Sequence, residues 1–440
     1  MSSKSPEPRN TTNRSWNIAA AIYVFATLVF FVTTSAQRLD THTPYNHFAL
    51  LADAWLHGRL DLGGPPPTYT GNNDFAVWEG KHFVSFPPFP ALLILPLVKL
   101  VGHVDRVRDG AFFACFTGLA PAFLYLSLDK LTRLGRNARS ELENISLALL
   151  FAFGTVYWFS AVQGTVWFVG HVIGASLAAL YLFASTNATH PIVAGLALSL
   201  GFATRTPLGF AFPLFLWEAA RASRLSSTRG CSFDNLDMRA LVKRCVLFAV
   251  PAAAILGIVM WHNHARFGDP FEFGHRLLAI GWRGRIDKWG LFSYHYLGKN
   301  LAVMLTALPF TGGTNAAPFQ INAHGLALWV TTPIYVWALW PKRTSPAFWA
   351  LALTTACVAL PDLIYQNTGW IQFGYRFSND FAVFLFALIA LGKRRFGPAF
   401  WTLAVVGFAV NAFGALTFQR AGYERFYFLD PTQKIVHQPD

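Results

Sequence analysis

The sequence predicts an all-α polytopic membrane protein with about 11–13 membrane helices and a long first external loop that carries amphipathic surface helices. Of its 440 residues, 54% are hydrophobic and only 13% are charged, about half the charged share of an average soluble protein. Apolar stretches near the ~20 residues that cross a bilayer as a helix recur along the whole chain. A water-soluble fold cannot cover its surface with so few charges, so much of the surface must contact lipid.

The first apolar run, residues 16–36, follows a short basic tail that contains Lys4, Arg9 and Arg14. The run is long for a signal peptide, and Thr34-Ser35-Ala36 is a poor cleavage site. We therefore expect an uncleaved first helix, preceded by a cytoplasmic tail at residues 1–15.

A membrane domain is expected over residues 16–416. Within the loop 37–86, residues 45–56 have apolar positions at helical spacing, which predicts an amphipathic helix on the membrane. Segment 87–101 is apolar but short and rich in proline, so we expect that it does not cross the bilayer cleanly. Arg205 interrupts the apolar run 191–218, which favours two short helices that meet near the outer face. Later apolar segments are 111–128, 145–162, 166–184, 245–261, 299–310, 325–340, 346–361, 380–392 and 398–416.

Basic residues fix the expected sidedness. The net charge of +13 comes largely from short loops at 130–139, 221–244, 342–343 and 393–395, as the positive-inside bias requires. Nucleic acid is therefore not an expected partner. These assignments make the loop 219–244 cytoplasmic. They make the loops 37–86, 263–298 and 363–379 and the tail 417–440 external.

No cofactor motif is present. The four cysteines are scattered without Cys-x-x-Cys or Cys/His spacing, so neither a disulfide framework nor a cysteine metal site is predicted. Histidines are frequent in the segments predicted to be external. They could bind a divalent metal, but their spacing matches no compact ligand motif.

Carboxylates in the first loop are the candidates for acid–base chemistry. Asp40 lies a few residues beyond the first helix, and hence close to the bilayer surface. There it could act as general base on an acceptor hydroxyl that arrives from water, while a lipid-linked donor stays in the membrane. The alternative is a solvated aspartate that only starts a turn. Asp53, Asp61, Asp74 and Glu79 are weaker candidates of the same kind.

Arginines at the membrane edge are candidates for binding a phosphate leaving group, because a guanidinium makes bidentate contacts with phosphate oxygens. These arginines are Arg38, Arg205, Arg276 and Arg376. Headgroup contact or internal pairing is the alternative, for example between Arg376 and Asp380 one helical turn later. Further candidates for the acceptor or donor site are His42, His47, Asp74, Lys81, His82, His275, Tyr375 and Asp380.

The layout resembles the GT-C superfamily of glycosyltransferases. It has a first helix, a long outer loop with an Asp just after that helix, a surface helix that ends in LHGRLDL, and the re-entry GKHFVSFPPFPALLILP. Within that superfamily it is similar to the protein O-mannosyltransferase and aminoarabinose-transferase branch (family 39-like, including Rgt-type lipopolysaccharide transferases). The segments LGFATRTPLGFAFPLF, NHARFGDPFEFGH and GWIQFGYRFSND look like segments of bacterial members. Two departures stand out: Thr41 replaces the second acidic residue of the family's Asp-Glu pair, and Phe86 replaces the Lys of its Lys-Pro-Pro.

The resemblance implies inverting transfer of a monosaccharide from a polyprenyl-phosphate donor. The acceptor would be a hydroxyl of a glycolipid, surface glycan or protein on the outer face of a bacterial inner membrane. Asp40 would deprotonate the acceptor, while arginines hold the departing lipid phosphate. A secondary transporter, a lipid-linked glycan ligase or polymerase, and a non-catalytic assembly factor remain the alternatives.

Overall fold

A computed structural model describes residues 8–224, 236–311 and 317–428 of the chain. Parts of the predicted loop 219–244 and tail 417–440 lie outside these residues. The described helices are α1 (Pro8–Thr33), α2 (Ala36–Asp40), α3 (His47–Leu56), α4 (Phe89–Val101), α5 (Asp109–Ala114), α6 (Leu119–Arg133), α7 (Glu141–Phe153), α8 (Val156–Ala161), α9 (Val166–Ser185), α10 (Pro191–Phe202), α11 (Phe212–Ala222), α12 (Met238–Phe267), α13 (Arg283–Trp289), α14 (Leu297–Thr306), α15 (Leu328–Thr331), α16 (Val336–Leu339), α17 (Pro346–Leu363), α18 (Asn379–Leu391) and α19 (Pro398–Thr417).

Two small sheets accompany the helices. Strands β1 (Phe75–Trp78) and β2 (Lys81–Val84) form an antiparallel hairpin in the first loop. Both residues of its turn, Glu79 and Gly80, have positive φ, as the tight hairpin turn that fits twisted strands requires. The second sheet has the order β3 (Phe310–Thr311), β4 (Phe319–Asn322) and β5 (Tyr427–Phe428), with β4 antiparallel to β3 and parallel to β5.

Six helical segments in the described part of the chain are long and apolar enough to cross a membrane. They are Asn13–Thr33, Asp109–Arg133, Val166–Ala188, Met238–Phe267, Pro346–Leu363 and Pro398–Thr417. Other apolar elements are shorter helices, several of them joined end to end. The predicted class, an all-α polytopic membrane protein, is therefore confirmed.

Local sequence signals explain where several helices begin. The Ser140 hydroxyl and the Glu143 carboxylate satisfy each other's backbone N–H groups in a capping box at the start of α7. The Asp237 side chain caps α12. The Ser345 side chain caps α17, and Pro346 stands at the first position, where a missing N–H costs nothing.

Helices α9 and α18 form the centre of the bundle. Nearly every residue of each is buried, and α9 contacts α6, α8, α10, α11 and α18. Helices α1, α12 and α19 instead expose large apolar side chains, for example Val32, Val250 and Val405. Such faces on a membrane protein are suited to lipid. Close helix packing relies on small residues: a Cβ added at Gly195 of α10 would lie 2.1 Å from the Phe248 carbonyl oxygen of α12.

Two apolar segments form helices shorter than a membrane span. The run 191–218 consists of α10 and α11, which are separated at Arg205. Helix α4 has only 13 residues. Its first N–H donates to the Ala203 carbonyl, and just beyond its end Asp105 accepts a hydrogen bond from Tyr69 of the first loop. Both ends of α4 therefore contact residues at the same end of the bundle.

The predicted surface helix at 45–56 is α3, and most of its residues are buried, many of them against α4. The first loop therefore packs as a layer over one end of the helix bundle. This layer forms one wall of the cavity described below.

Basic segments meet at the opposite end of the bundle. The Arg139 guanidinium donates to the Arg394 carbonyl just beyond α18, and Arg136 pairs with Glu218 near the end of α11. Helices α9 and α18 begin at the cavity and end among these basic segments. The cavity and the basic loops therefore lie at opposite ends of the central helices.

Candidate functional site

A cavity of about 760 Å³ lies between the first loop and the ends of the central helices. This volume lies within the range of small-molecule sites. Its walls come from six parts of the chain: the first loop with its re-entry, the start of α9, the turn that follows α10, residues 271–292, residues 361–377, and Gln419 beyond α19. Apolar and aromatic side chains dominate the lining, and a few charged groups converge within it.

Arg205 is the best anchored of these charged groups. Its Nε and Nη2 donate to both carboxylate oxygens of Asp380, with Nη2 2.6 Å from Oδ2. Nη2 also lies 3.4 Å from Asp362 Oδ1, and the His171 Nδ1–H donates to Asp380 Oδ1 at 3.1 Å. Asp380 and His171 are fully buried, whereas 21% of the Arg205 side chain is exposed. The Arg205–Asp380 ion pair offsets the free-energy cost of burying the Asp380 carboxylate. One edge of the Arg205 guanidinium remains open to the cavity.

Two glycines of α9 make room for Arg205. A Cβ at Gly174 would lie 3.0 Å from Arg205 Cγ, and one at Gly170 would lie 3.5 Å from its Cδ. Residues four apart lie on one face of a helix. The Gly170/Gly174 pair is therefore a groove along α9 that holds the aliphatic stem of Arg205.

Arg376 is a second buried cation, and it has no carboxylate partner. Only 8% of the residue is exposed, and among the described residues it makes no ion pair. Its Nη1 donates to the Trp370 carbonyl at 3.1 Å. Burial, and secondarily the charge of Arg205, lower the pKa of Arg376 to about 9. The guanidinium is therefore still cationic at neutral pH, and no carboxylate among the described residues forms an ion pair with it.

Aromatic rings hold the two guanidiniums in place. The Cζ atoms of Arg205 and Arg376 lie 5.1 and 5.7 Å from the centroid of the Phe377 ring, and Arg376 also lies 5.2 Å from the Phe168 centroid. The turn that supports Arg376 is strained, since Trp370 has a φ of +31°. Strained backbone clusters at functional sites. Cation–π contacts of this kind orient a guanidinium without neutralising it.

Asp74 lies on the wall formed by the first loop. Its Oδ2 accepts a hydrogen bond of 2.7 Å from the Trp167 indole N–H, and no described residue hydrogen-bonds to Oδ1. Burial raises the pKa of the Asp74 carboxyl, while the Trp167 hydrogen bond and the nearby Arg376 lower it. Asp74 and Arg376 thus form a polar pair within electrostatic range of each other.

Several predicted site residues line the cavity, and others do not. Besides Arg205, Arg376 and Asp74, the lining includes Arg38, His42, His275 and Arg276. Asp380 reaches the cavity only through Arg205. The remaining predicted residues that are absent from the lining are Asp40, His47, Lys81, His82 and Tyr375.

Asp40 is exposed at the last position of α2. Its side chain makes no hydrogen bond or ion pair with any residue in the described ranges. Lys81 is also largely exposed and lies 4.0 Å from Asp61. The general-base role of Asp40 stays a prediction from its sequence position.

His47 and Tyr375 are buried structural neighbours of the cavity. The His47 Nε2 bonds the Asn73 carbonyl at 2.8 Å, directly before Asp74, and its ring stacks on Phe75. Burial lowers the pKa of His47 to about 4, so the ring is neutral. The Tyr375 hydroxyl is buried, and its ring packs at 5.8 Å from Phe377.

Three residues of the site were missed from the sequence. His171 lies inside an apolar helix, where a polar side chain is itself a signal. Asp362 follows directly on the apolar segment 346–361, and the same argument applies to it. Trp167 was not distinguished from the aromatic residues expected at any membrane edge.

The divalent metal that the histidines suggested has no ligand cluster among the described residues. No group of three His, Cys, Asp or Glu side chains there is arranged to hold an ion. Two carboxylates near the cavity, those of Asp362 and Asp380, are instead paired with Arg205.

The fold is similar to that of the oligosaccharyltransferase of Archaeoglobus fulgidus. The apo form matches with a TM-score of 0.52 and 14% identity over 96% of this chain and 61% of that one. The form tethered to an acceptor peptide with the NVT sequon matches with a TM-score of 0.52 and 13% identity over 96% and 60%. The chain thus spans about three-fifths of the archaeal enzyme. No protein-family model and no curated protein matches this sequence. At this identity the likeness concerns the fold, which is the predicted one.

Proposed function

We propose that this chain is a membrane-embedded glycosyltransferase. It transfers a monosaccharide from a polyprenyl-phosphate donor to a hydroxyl of a glycolipid, surface glycan or protein. The reaction takes place at the external face of a bacterial inner membrane. The fold shared with an oligosaccharyltransferase is compatible with this chemistry, but the activity is inferred from the site.

The observation that carries the proposal is the buried Arg376, which forms no ion pair with any described residue, beside Arg205 in a largely apolar cavity. A donor of this class combines an anionic phosphate with a long hydrocarbon tail. Arginine provides bidentate hydrogen bonds to phosphate, and an apolar lining suits a lipid. A buried cation with no carboxylate of its own is costly unless a ligand brings the opposite charge.

The reaction requires charge stabilisation at the leaving group. The acceptor oxygen forms a bond to the anomeric carbon, and the bond from that carbon to the phosphate oxygen breaks with its electron pair. The lipid phosphate gains negative charge as it leaves. Arg376 and the open edge of Arg205 are fixed in advance and can stabilise that charge without reorganising. Attack opposite the leaving phosphate gives inversion.

The sidedness of the proposal follows from the charge distribution. The cavity lies at the end of α9 and α18 that is opposite the basic segments. Basic loops are retained in the cytoplasm, so the cavity faces outward. An acceptor from the envelope would then reach the site without crossing the membrane.

Transfer in liposomes tests the proposal. The purified protein is reconstituted and incubated with a panel of radiolabelled polyprenyl-phosphate sugars and an extract of envelope lipids and glycans. We expect label from at least one donor in a new covalent product, strongly reduced with Arg376→Gln at subsaturating donor and kept with the control Arg343→Gln, an exposed arginine. Failure of every donor to yield a product, or uptake of label without one, would refute the proposal and favour a transporter.

A further inference from the structure

Asp74 is distinguished among the carboxylates of the first loop by its position. Five carboxylates occupy that loop: Asp40, Asp53, Asp61, Asp74 and Glu79. Of these, Asp74 alone lines the cavity. The other four are therefore not placed to meet a substrate held there.

The backbone around Asp74 is fixed from both sides. The preceding Asn73 carbonyl bonds His47 at 2.8 Å, and the Asp74 carbonyl accepts from the Ser85 hydroxyl at 3.1 Å. Asp74 itself has a φ of +60°, in the left-handed region that costs energy for a residue with a side chain. Surrounding contacts thus hold a strained residue in one place, as is common for groups with a chemical role.

The two carboxylate oxygens of Asp74 differ in their hydrogen bonding. The Trp167 indole holds Oδ2, and Oδ1 has no hydrogen-bond partner within the described ranges. A carboxylate so arranged keeps its orientation while one oxygen remains open to accept a proton.

The other carboxylates at the cavity are each bound to an arginine or to a backbone N–H. Asp380 is paired with Arg205 and bonded by His171. Asp362 pairs with Arg205 through Oδ1, and its Oδ2 is buried without a hydrogen-bond partner among the described residues. Glu272 accepts from the Gly274 backbone N–H through Oε1.

We propose that Asp74 is the general base of the transfer reaction, and that Trp167 is the positioning residue that orients it. This inference rests on the proposed function. The acceptor O–H proton moves to Asp74 Oδ1 as the acceptor oxygen bonds the anomeric carbon. The bond from that carbon to the phosphate oxygen breaks, and its electron pair leaves with the lipid phosphate beside Arg376. Burial raises the pKa of Asp74 and so strengthens it as a base.

The test compares Asp74→Asn with Asp40→Asn in the reconstituted transfer assay, using the donor that the wild-type protein accepts. The asparagine at 74 keeps the shape and an oxygen for the Trp167 indole. We expect kcat to fall by about 10²–10⁴-fold, with the donor KM within threefold of wild type. The control Asp287→Asn, at an exposed carboxylate, should keep a kcat near that of wild type, and Asp40→Asn tests the rival general base. Gel filtration and thermal melting check that all three variants fold.

Trp167→Phe supplies a second test that needs no loss of Asp74. It removes the indole N–H but keeps an aromatic ring against Tyr45. The lost hydrogen bond raises the pKa of Asp74, while Arg376 and Tyr365 still face the carboxylate. The acidic limb of the pH–rate profile should therefore move up by about one pH unit, with the plateau rate kept. A purely structural role would lower the plateau and leave the limb in place.

The outcomes separate this inference from the proposed function. A wild-type protein that transfers no sugar would refute both. An active wild type with a folded, active Asp74→Asn would overturn the role of Asp74 alone, as would an inactive Asp40→Asn beside an active Asp74→Asn. An unmoved acidic limb in Trp167→Phe would also count against it.

Discussion

Arg376 and Arg205 should respond differently to the same substitution. The Arg376 side chain makes one hydrogen bond, to the Trp370 carbonyl, and no ion pair with any described residue. Arg205 is bound bidentately by Asp380. If both contact the donor phosphate, Arg376 supplies a charge that no ion pair neutralises, and Arg205 serves partly to neutralise a buried carboxylate.

The magnitudes follow from those contacts. Arg376→Gln removes a hydrogen bond from a charged group to phosphate, which costs about 1.5–3 kcal/mol, or roughly 10- to 150-fold in donor affinity. It should leave stability nearly unchanged, since no ion pair is broken. Arg205→Gln leaves the buried Asp380 carboxylate without its cation and should lower the free energy of unfolding by about 3–5 kcal/mol. Arg376→Lys should fall between wild type and Gln, because it keeps the charge and loses the planar contact with Phe168.

Two assays read these effects separately. Donor KM and the dissociation constant for unlabelled polyprenyl phosphate report affinity, and thermal melting in detergent reports stability. Arg343→Gln controls for the loss of a positive charge at an exposed position. An Arg376→Gln protein with wild-type donor affinity would refute the reasoning. So would an Arg205→Gln protein that melts at the wild-type temperature.

Three further predictions concern stability and are read by thermal melting. Asp380→Asn should destabilise the protein by about 3–5 kcal/mol, because it leaves the Arg205 guanidinium with only the longer contact to Asp362. An unchanged midpoint would contradict that pairing. The buried His47 is neutral and has a pKa near 4, so the stability of the protein should fall as pH drops from about 6.5 towards 4. His47→Gln should weaken this pH dependence. An identical pH profile in the variant would argue against the role of His47. Gly195→Ala should destabilise the protein, because the added Cβ would lie 2.1 Å from a backbone oxygen. The control Gly257→Ala places its Cβ in open space. Equal melting midpoints for the two variants would contradict the close helix packing.

The architecture was largely predictable because it depends on local signals. Apolar length predicted the six long membrane helices of the described residues, and the charge of Arg205 inside an apolar run predicted where that run divides. The same argument placed Arg205 at the site, since a charge at membrane depth needs a partner or a wet cavity. The prolines of 87–101 likewise indicated a short element.

The partners of the site residues were not predictable, because they lie far apart in the chain. Arg376 and Asp380 have the spacing of a helical pair, yet residues 376–378 form a 3₁₀ turn and Asp380 bonds Arg205, 175 positions away. Asp40 was predicted from its distance along the chain. The short helix α2 ends on it and leaves its side chain exposed. Sequence distance from a helix end does not fix the direction of a side chain.

A structure of the protein in lipid nanodiscs with polyprenyl phosphate bound tests the central claim most directly. The account predicts phosphate density in the cavity, with a phosphate oxygen about 2.7–2.9 Å from a guanidinium nitrogen of Arg376 and the hydrocarbon tail leading out to the bilayer. Phosphate density elsewhere on the protein, with Arg376 still bonded only to the Trp370 carbonyl, would contradict it.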